Sequence, residues 1–465
     1  MFMRSICSLL SLALASVAVS ATVTSFNKPV ITRSGRLAIT GTGFGSWVEG
    51  NRVRLGSTSL IITTWSDTRI VAYVPENTPV GTRQLVVEAA SVVSKPRLLK
   101  VIARPPLGNR TKWRFEADDY YIMTRPAVAP DGTVYAKGIL GHSYALNPDG
   151  SLKWVFNDGI SEPADMSLMA NGNLVIGGGN HVIALSPEGV MLWSRGGLGT
   201  SHIAGPTVGP DGHIYGATNP LYGGIGGYEI DANGNLLRTI TIRNNAGSTT
   251  YPYPVAFSTE DWSFTLPQPR VGSGLPTLYV NRLGGGPRWE QTGAGVSLRQ
   301  LNGNIYVQYA NNTTAFGAYS ASGSVAWSSS YNNFGVPQFF PRLGPDGSVY
   351  QVAGGTRLVK FGLNGNVVFN WLLGASLQYP AVTPDNQLVL VSAMTNFPDP
   401  RLTRAYRQDG SLAWVNSWPF EEGVAIAPIS TMTFSPNGDT VYQGTTWNNY
   451  ATDFRCYLYA TRTTP

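Results

Sequence analysis

The chain has 465 residues, 13% of them charged and 43% hydrophobic, with 53 glycines and 31 prolines. The hydrophobic content excludes an intrinsically disordered chain, and scarce charge beside abundant glycine and proline excludes long helices in favour of turn-rich β structure. Residues 22–104 hold 11 Lys and Arg against 4 Asp and Glu, whereas residues 105–465 hold 21 against 23; the basic excess therefore belongs to a small N-terminal segment, which has no interleaved aromatics or nucleic-acid motif and argues against a nucleic-acid partner.

Met1-Phe-Met-Arg4 precedes an apolar run from Ser5 to Val19, and Val19, Ser20 and Ala21 place small residues at a cleavage site. Residues 1–21 read as a secretory signal peptide cleaved after Ala21, which makes the protein secreted, periplasmic or cell-surface, without integral membrane contact. The alternative is a membrane anchor, but the run falls short of the roughly 20 residues a span needs. Cleavage leaves one cysteine, Cys456, so no internal disulfide is available. Its strand-like setting, Phe454-Arg-Cys-Tyr-Leu-Tyr459, reads as a buried, inert thiol rather than a nucleophile.

Residues 22–104 alternate apolar and polar residues in short runs such as Arg36-Leu-Ala-Ile-Thr40, Arg69-Ile-Val-Ala-Tyr-Val74 and Gln84-Leu-Val-Val-Glu88. Period-two runs between Gly, Ser and Pro turns predict an immunoglobulin-like β-sandwich. The order Gly41-Thr-Gly-Phe-Gly45, Val53-Arg-Leu-Gly56, Trp65-Ser-Asp-Thr-Arg-Ile-Val71, Val74-Pro75, Gly81-Thr82 and Ser94-Lys-Pro96 resembles the IPT/TIG family of immunoglobulin-like domains. The resemblance implies a spacer or docking module rather than a chemistry. Residues 105–110, opening on Pro105-Pro106, read as a linker.

From residue 111 the chain repeats. Arg125-Pro-Ala-Val-Ala-Pro-Asp-Gly-Thr-Val-Tyr135 recurs as Gly205-Pro-Thr-Val-Gly-Pro-Asp-Gly-His-Ile-Tyr215 and Phe340-Pro-Arg-Leu-Gly-Pro-Asp-Gly-Ser-Val-Tyr350. Each copy is strand, tight turn, strand. Turn anchors at Asp131, Asn171, Asp211, Glu260, Asn302, Asp346, Asp385 and Asn437 are spaced by 40, 40, 49, 42, 44, 39 and 52 residues, a period suited to four-stranded propeller blades. A second turn follows in seven units, and five residues past its start stands a large aromatic: Trp154, Trp193, Trp289, Trp327, Phe369 or Trp414, with Arg238 in the third unit. A ring recurring at fixed offset is a packing device. The eighth unit lacks its outer strand, and Thr111-Lys-Trp-Arg-Phe115 upstream supplies one. The expected architecture is all-β: the sandwich, then an eight-bladed β-propeller over 111–465, closed by strand 111–115. The two-turn unit with Asp-Gly and a following Trp resembles the PQQ-like (quinoprotein-like) β-propeller repeat, a family that includes quinone-dependent dehydrogenases, an outer-membrane assembly factor and many surface proteins.

No residue set matches that family's cofactor ligands, and there is neither an adjacent cysteine pair nor a Cys-x-x-Cys-His motif, so no cofactor, catalytic residue or metal ligand is assigned. The four histidines are His142, His181, His202 and His213; His142 and His181 occupy equivalent strand starts in units one and two. Asn109-Arg-Thr111, Asn311-Asn-Thr313 and Asn312-Thr-Thr314 fit the N-glycosylation pattern. The Asp-Gly turns make a plain face. The opposite, long-loop face carries the aromatics Tyr120, Tyr121, Tyr251, Tyr253, Tyr331, Trp418, Phe420, Trp447 and Tyr450 and the acids Glu116, Asp118, Asp119, Glu162, Asp165, Glu421 and Glu422. Aromatics beside amides suit a glycan or a protein ligand. The leading reading is an exported, non-catalytic binding or scaffold protein. The alternatives are a quinoprotein-like oxidoreductase or a lyase using His142 and His181, and a structural envelope or matrix component.

Overall fold

The computed structural model describes residues 21–89, 92–122, 125–159, 166–178, 181–198, 203–218, 227–240, 256–257, 263–268, 277–282, 287–292, 294–297, 304–309, 314–320, 322–330, 341–374, 376–394, 402–417, 425–428, 430–448 and 456–464. All elements among them are β-strands, and no helix of the described residues is long and apolar enough to cross a membrane. The leader reading of residues 1–21 falls, but for Ala21, outside the described residues. The chain forms two compact units, one of Met1–Arg33 and Leu37–Ala103, the other of Ser34–Arg36 and Arg104–Pro465.

The first unit is a sandwich. One sheet orders Thr22–Phe26, Arg36–Thr42, Arg69–Tyr73 and Ile61–Trp65; the other orders Val30–Thr32, Arg97–Ile102, Gly81–Ala89, Arg52–Leu55 and Thr58–Ser59, with Val92–Val93 on the third of these. Alternation along Gly81–Ala89 sends Leu85 and Val87 inward, where they join Leu37, Ile39, Val53, Ile70 and Leu99 in one core. The Gly41–Gly45 motif has a steric cause. A β-carbon at Gly41 would lie 2.1 Å from the Thr22 carbonyl oxygen and 2.3 Å from the Phe44 ring. Phe44 packs into that space, and the Trp65 indole donates to the Gly45 carbonyl at 3.2 Å.

In the second unit the described strands form eight successive antiparallel sheets. The first orders Ala127–Val128, Val134–Lys137, His142–Leu146 and Leu152–Asn157. The next six follow the same up-and-down order. The last draws on both ends of the unit: Thr111–Ala117 pairs with Cys456–Arg462, which pairs with Thr440–Asn448, on which Thr433–Phe434 and Ala425–Pro428 lie. The register runs from Thr111 opposite Thr461 to Ala117 opposite Cys456.

One detail recurs in every sheet. The register slips where the wedge residue meets its cross-strand partner, as between Ala145 opposite Trp154 and Leu146 opposite Leu152. The same slip occurs in the second to seventh sheets. Thr111–Ala117 has it too, with Trp113 opposite Ala460 and Thr111 opposite Thr461. A bulge of this kind re-aims the side chain beside it. Here the indole lands on the second hairpin of the next sheet. Trp154 lies where a β-carbon on Gly189 would come within 2.6 Å of its ring, and its Nε1 donates to the Pro187 carbonyl at 2.9 Å. Trp113 does the same to Gly150 and Pro148, and Trp193 to Gly234 and Ala232. Trp289 meets Gly323, Trp327 meets Gly365, and Trp414 donates to the Thr463 carbonyl of the last sheet at 3.0 Å. The sixth sheet departs from the sequence expectation: Trp371, two residues past Phe369, meets Gly410, and Phe369 stacks on it with ring centroids 3.6 Å apart.

This geometry makes a double-mutant prediction. Trp154→Ala removes a buried indole and should cost about 3–5 kcal/mol. Gly189 has φ +83°, so Gly189→Ala should cost about 1–2 kcal/mol in backbone strain plus the displacement of the ring. With the indole gone, only the backbone cost should remain, so the two changes combine to less than their sum in urea unfolding; strict additivity would contradict the contact.

Candidate functional site

The long-loop aromatics are described at one corner. Thr111–Ala117 leads into Asp118 and Asp119, then Tyr120 and Tyr121. Sequence reasoning placed Asp118 and Asp119 among rim acids; both are buried. For Asp119 the reason is backbone satisfaction, since a turn with orphaned N–H groups needs acceptors. Asp119 Oδ1 accepts from the Tyr120 N–H at 2.8 Å, and Oδ2 accepts from the Leu140 N–H at 3.0 Å. A β-carbon at Gly138 would lie 2.0 Å from Asp119 Oδ2, so the carboxylate fills the space that this glycine leaves. The Ile139 N–H donates to the Tyr121 carbonyl at 3.2 Å, and the Ile122 N–H to the Thr445 carbonyl at 3.3 Å. The corner is thus tied to the first sheet on one side and the last on the other. On it Tyr120 and Tyr121 are half-buried, with ring centroids 6.2 Å apart. Trp447 stands in strand Thr440–Asn448, two residues beyond Thr445. Tyr251, Tyr253, Tyr331, Trp418, Phe420 and Tyr450 lie outside the described residues, as do Glu162, Asp165, Glu421 and Glu422.

The remaining reactive side chains are built into the frame. His142 and His181 open the third strands of the first two sheets. His142 is buried, with Nδ1 3.0 Å from the Asp118 carbonyl oxygen and 3.7 Å from Asp119 Oδ2. His181 is half-buried and turned towards Gly196, where a β-carbon would lie 2.7 Å from its Nε2. Lys137 and Asp158 form an ion pair at 2.7 Å with both side chains fully buried. Turn carboxylates act as caps: the Thr133 N–H bonds Asp131 Oδ1 at 2.8 Å and holds that carboxyl below its usual range. Side chains of different character converge in the third sheet, where His213 Nδ1 lies 2.8 Å from Glu229 Oε1. Sequence reasoning counted His213 among the histidines and did not name Glu229. The two are joined by strand register, which no local motif carries.

The comparisons accord with this geometry. Residues 21–99 match the IPT/TIG domain family. No curated protein sequence matches the chain. Among solved structures, BamB from Moraxella catarrhalis is similar with a TM-score of 0.54 at 12% identity, over 75% of this chain and 98% of that one. The Dos1 propeller is similar with a TM-score of 0.55 at 10% identity, over 76% of this chain and 94% of that one. The class is therefore an all-β protein in which an IPT/TIG immunoglobulin-like domain precedes a β-propeller.

Cys456 is fully buried, and burial pushes its thiol well above the ordinary cysteine range. It should resist a thiol reagent in the native protein at neutral pH and react with it after unfolding. Rapid native labelling would contradict its placement.

Proposed function

We propose that the protein is exported and acts as a non-catalytic binding or scaffold protein. In this reading residues 111–465 form an eight-bladed ring of the PQQ-like type, closed where Thr111–Ala117 joins the last sheet. The long-loop face engages a glycan or a protein, and the immunoglobulin-like domain serves as spacer or dock. The observation that carries the reading is the Tyr120–Tyr121 corner. Two aromatic rings, partly open to solvent, stand on backbone pinned by a buried carboxylate. Binding surfaces favour rings held this way, because little side-chain entropy is lost when a ligand stacks on them. The engagement of His142, Lys137, Asp158 and Cys456 in the interior supports a binding role over chemistry at those groups.

Glycan arrays and pull-downs from the native extracytoplasmic milieu test the proposal. Tyr121→Ala and Trp447→Ala should each weaken the captured interaction roughly tenfold or more, as removal of an anchoring aromatic does. Binding that survives both substitutions at full strength would place the ligand elsewhere.

A further inference from the structure

The third strand of the third repeat sheet, in the order Ile203–Val208, Ile214–Thr218, Gly227–Ile230 and Leu236–Ile240, carries charge where most of its sisters carry none. In five sheets the residue opposite the wedge tryptophan is alanine: Ala145, Ala184, Ala318, Ala405 and Ala460. In the third sheet Glu229 holds the alanine's place and Arg238 the tryptophan's, directly opposite each other. Glu229 is 3% exposed, and a carboxylate so placed is costly unless its oxygens are engaged. Arg238 Nε donates to Oε2. Oε1 faces the other way, 2.8 Å from His213 Nδ1 and 3.1 Å from the Tyr215 hydroxyl. Asp211 is divided in the same manner. Its Oδ1 accepts the His213 backbone N–H at 3.1 Å, while Oδ2 accepts from the Tyr215 hydroxyl at 2.6 Å and lies 3.5 Å from His213 Nδ1. One ligand atom each from Asp211, His213 and Glu229 thus converges, all within 4.8 Å of one another.

The sixth sheet, in the order Arg342–Leu343, Val349–Ala353, Arg357–Phe361 and Val367–Leu372, gives an internal comparison. Tyr350 and Lys360 stand opposite each other there as Tyr215 and Glu229 do here, and Asp346 takes the turn place of Asp211. Lys360 Nζ donates to Asp346 Oδ2 at 2.9 Å. In that sheet the protein supplies the cation that faces the turn carboxylate. In the third sheet the cross-strand residue is a second carboxylate, and an imidazole nitrogen faces both oxygens.

We propose that Asp211 Oδ2, His213 Nδ1 and Glu229 Oε1 bind a divalent transition-metal ion, zinc being the ion they suit. A nitrogen beside two carboxylate oxygens matches zinc rather than calcium or magnesium, which take oxygen ligands throughout. The surrounding bonds are those a metal site needs, because ligating carboxylates are oriented by outer hydrogen bonds to their second oxygens. Arg238 and the His213 N–H supply these. The Tyr215 hydroxyl stands beside both ligand oxygens, 2.6 Å from Asp211 Oδ2, to which it donates, and 3.1 Å from Glu229 Oε1, and so orients them. Asp211 and His213 are partly open to solvent, so ions enter from the Asp-Gly turn face and water completes the coordination. The site is independent of the long-loop binding proposal.

The test uses tag-free full-length protein, stripped with a chelator and dialysed against Zn²⁺ with bound metal counted by mass spectrometry. The expected result is one zinc per chain, undisplaced by excess Ca²⁺. His213→Ala and Asp211→Asn, both at partly exposed positions, should weaken binding by at least the roughly 10–100-fold that even outer-shell changes cost, with the native circular dichroism spectrum retained. His181→Ala should leave the zinc in place. Co²⁺ loaded in place of zinc should give visible absorption bands that His213→Ala abolishes. No zinc in the wild type, zinc that both variants retain, or equal displacement by Ca²⁺ would overturn the assignment.

Discussion

An indole from one sheet lies on a glycine of the next, and the second unit is organised around that contact. A four-stranded sheet of this size exposes an apolar face and is not stable alone. The bulge before each wedge turns the ring off its own sheet, the small residue across the strand leaves it room, and the positive-φ glycine beyond gives it a flat floor. The indole N–H groups of Trp113, Trp154, Trp193 and Trp414 each find a carbonyl in the neighbouring sheet, so these rings pack without leaving their donors unpaired. The same three elements recur at Trp113, whose strand lies far upstream of the sheet that it joins.

Much of this frame was legible in the chain. Asp-Gly pairs at regular spacing mark the hairpins because glycine alone takes their positive φ readily, and a tryptophan at fixed offset marks the contact between sheets. The alanine opposite five of the tryptophans was equally visible, as in Ala145-Leu146 and Ala184-Leu185, yet its meaning depends on cross-strand register. Phe369 misled because offset counting selects the residue opposite Lys360, whereas contact with the next hairpin is made two residues later by Trp371, on the same face of the strand.

The candidate sites were less legible for the same reason. Asp118 and Asp119 look like loop acids in sequence. Both are buried, Asp119 because the turn before Tyr120 needs acceptors, a demand set by where the chain meets the first and last sheets. The Asp-Gly face read as plain because its turns are short and alike. Its third member differs by residues separated along the chain, His213, Glu229 and Arg238, which strand pairing brings together beside the common turn residue Asp211. Within a repeat fold, a departure from the common residue at one position is a stronger pointer than any isolated motif, since the siblings show what the frame alone requires.

Strand Thr111–Ala117 belongs structurally to the sheet made by Thr440–Asn448 and Cys456–Arg462. Hydrogen exchange of the whole protein, resolved by peptide, tests it most directly. Amides of residues 111–117 and 456–462 should be protected to the same degree as the inner strands and exchange together on partial destabilisation. Fast exchange of 111–117, at the rate of the preceding linker, while 456–462 stays protected, would contradict it.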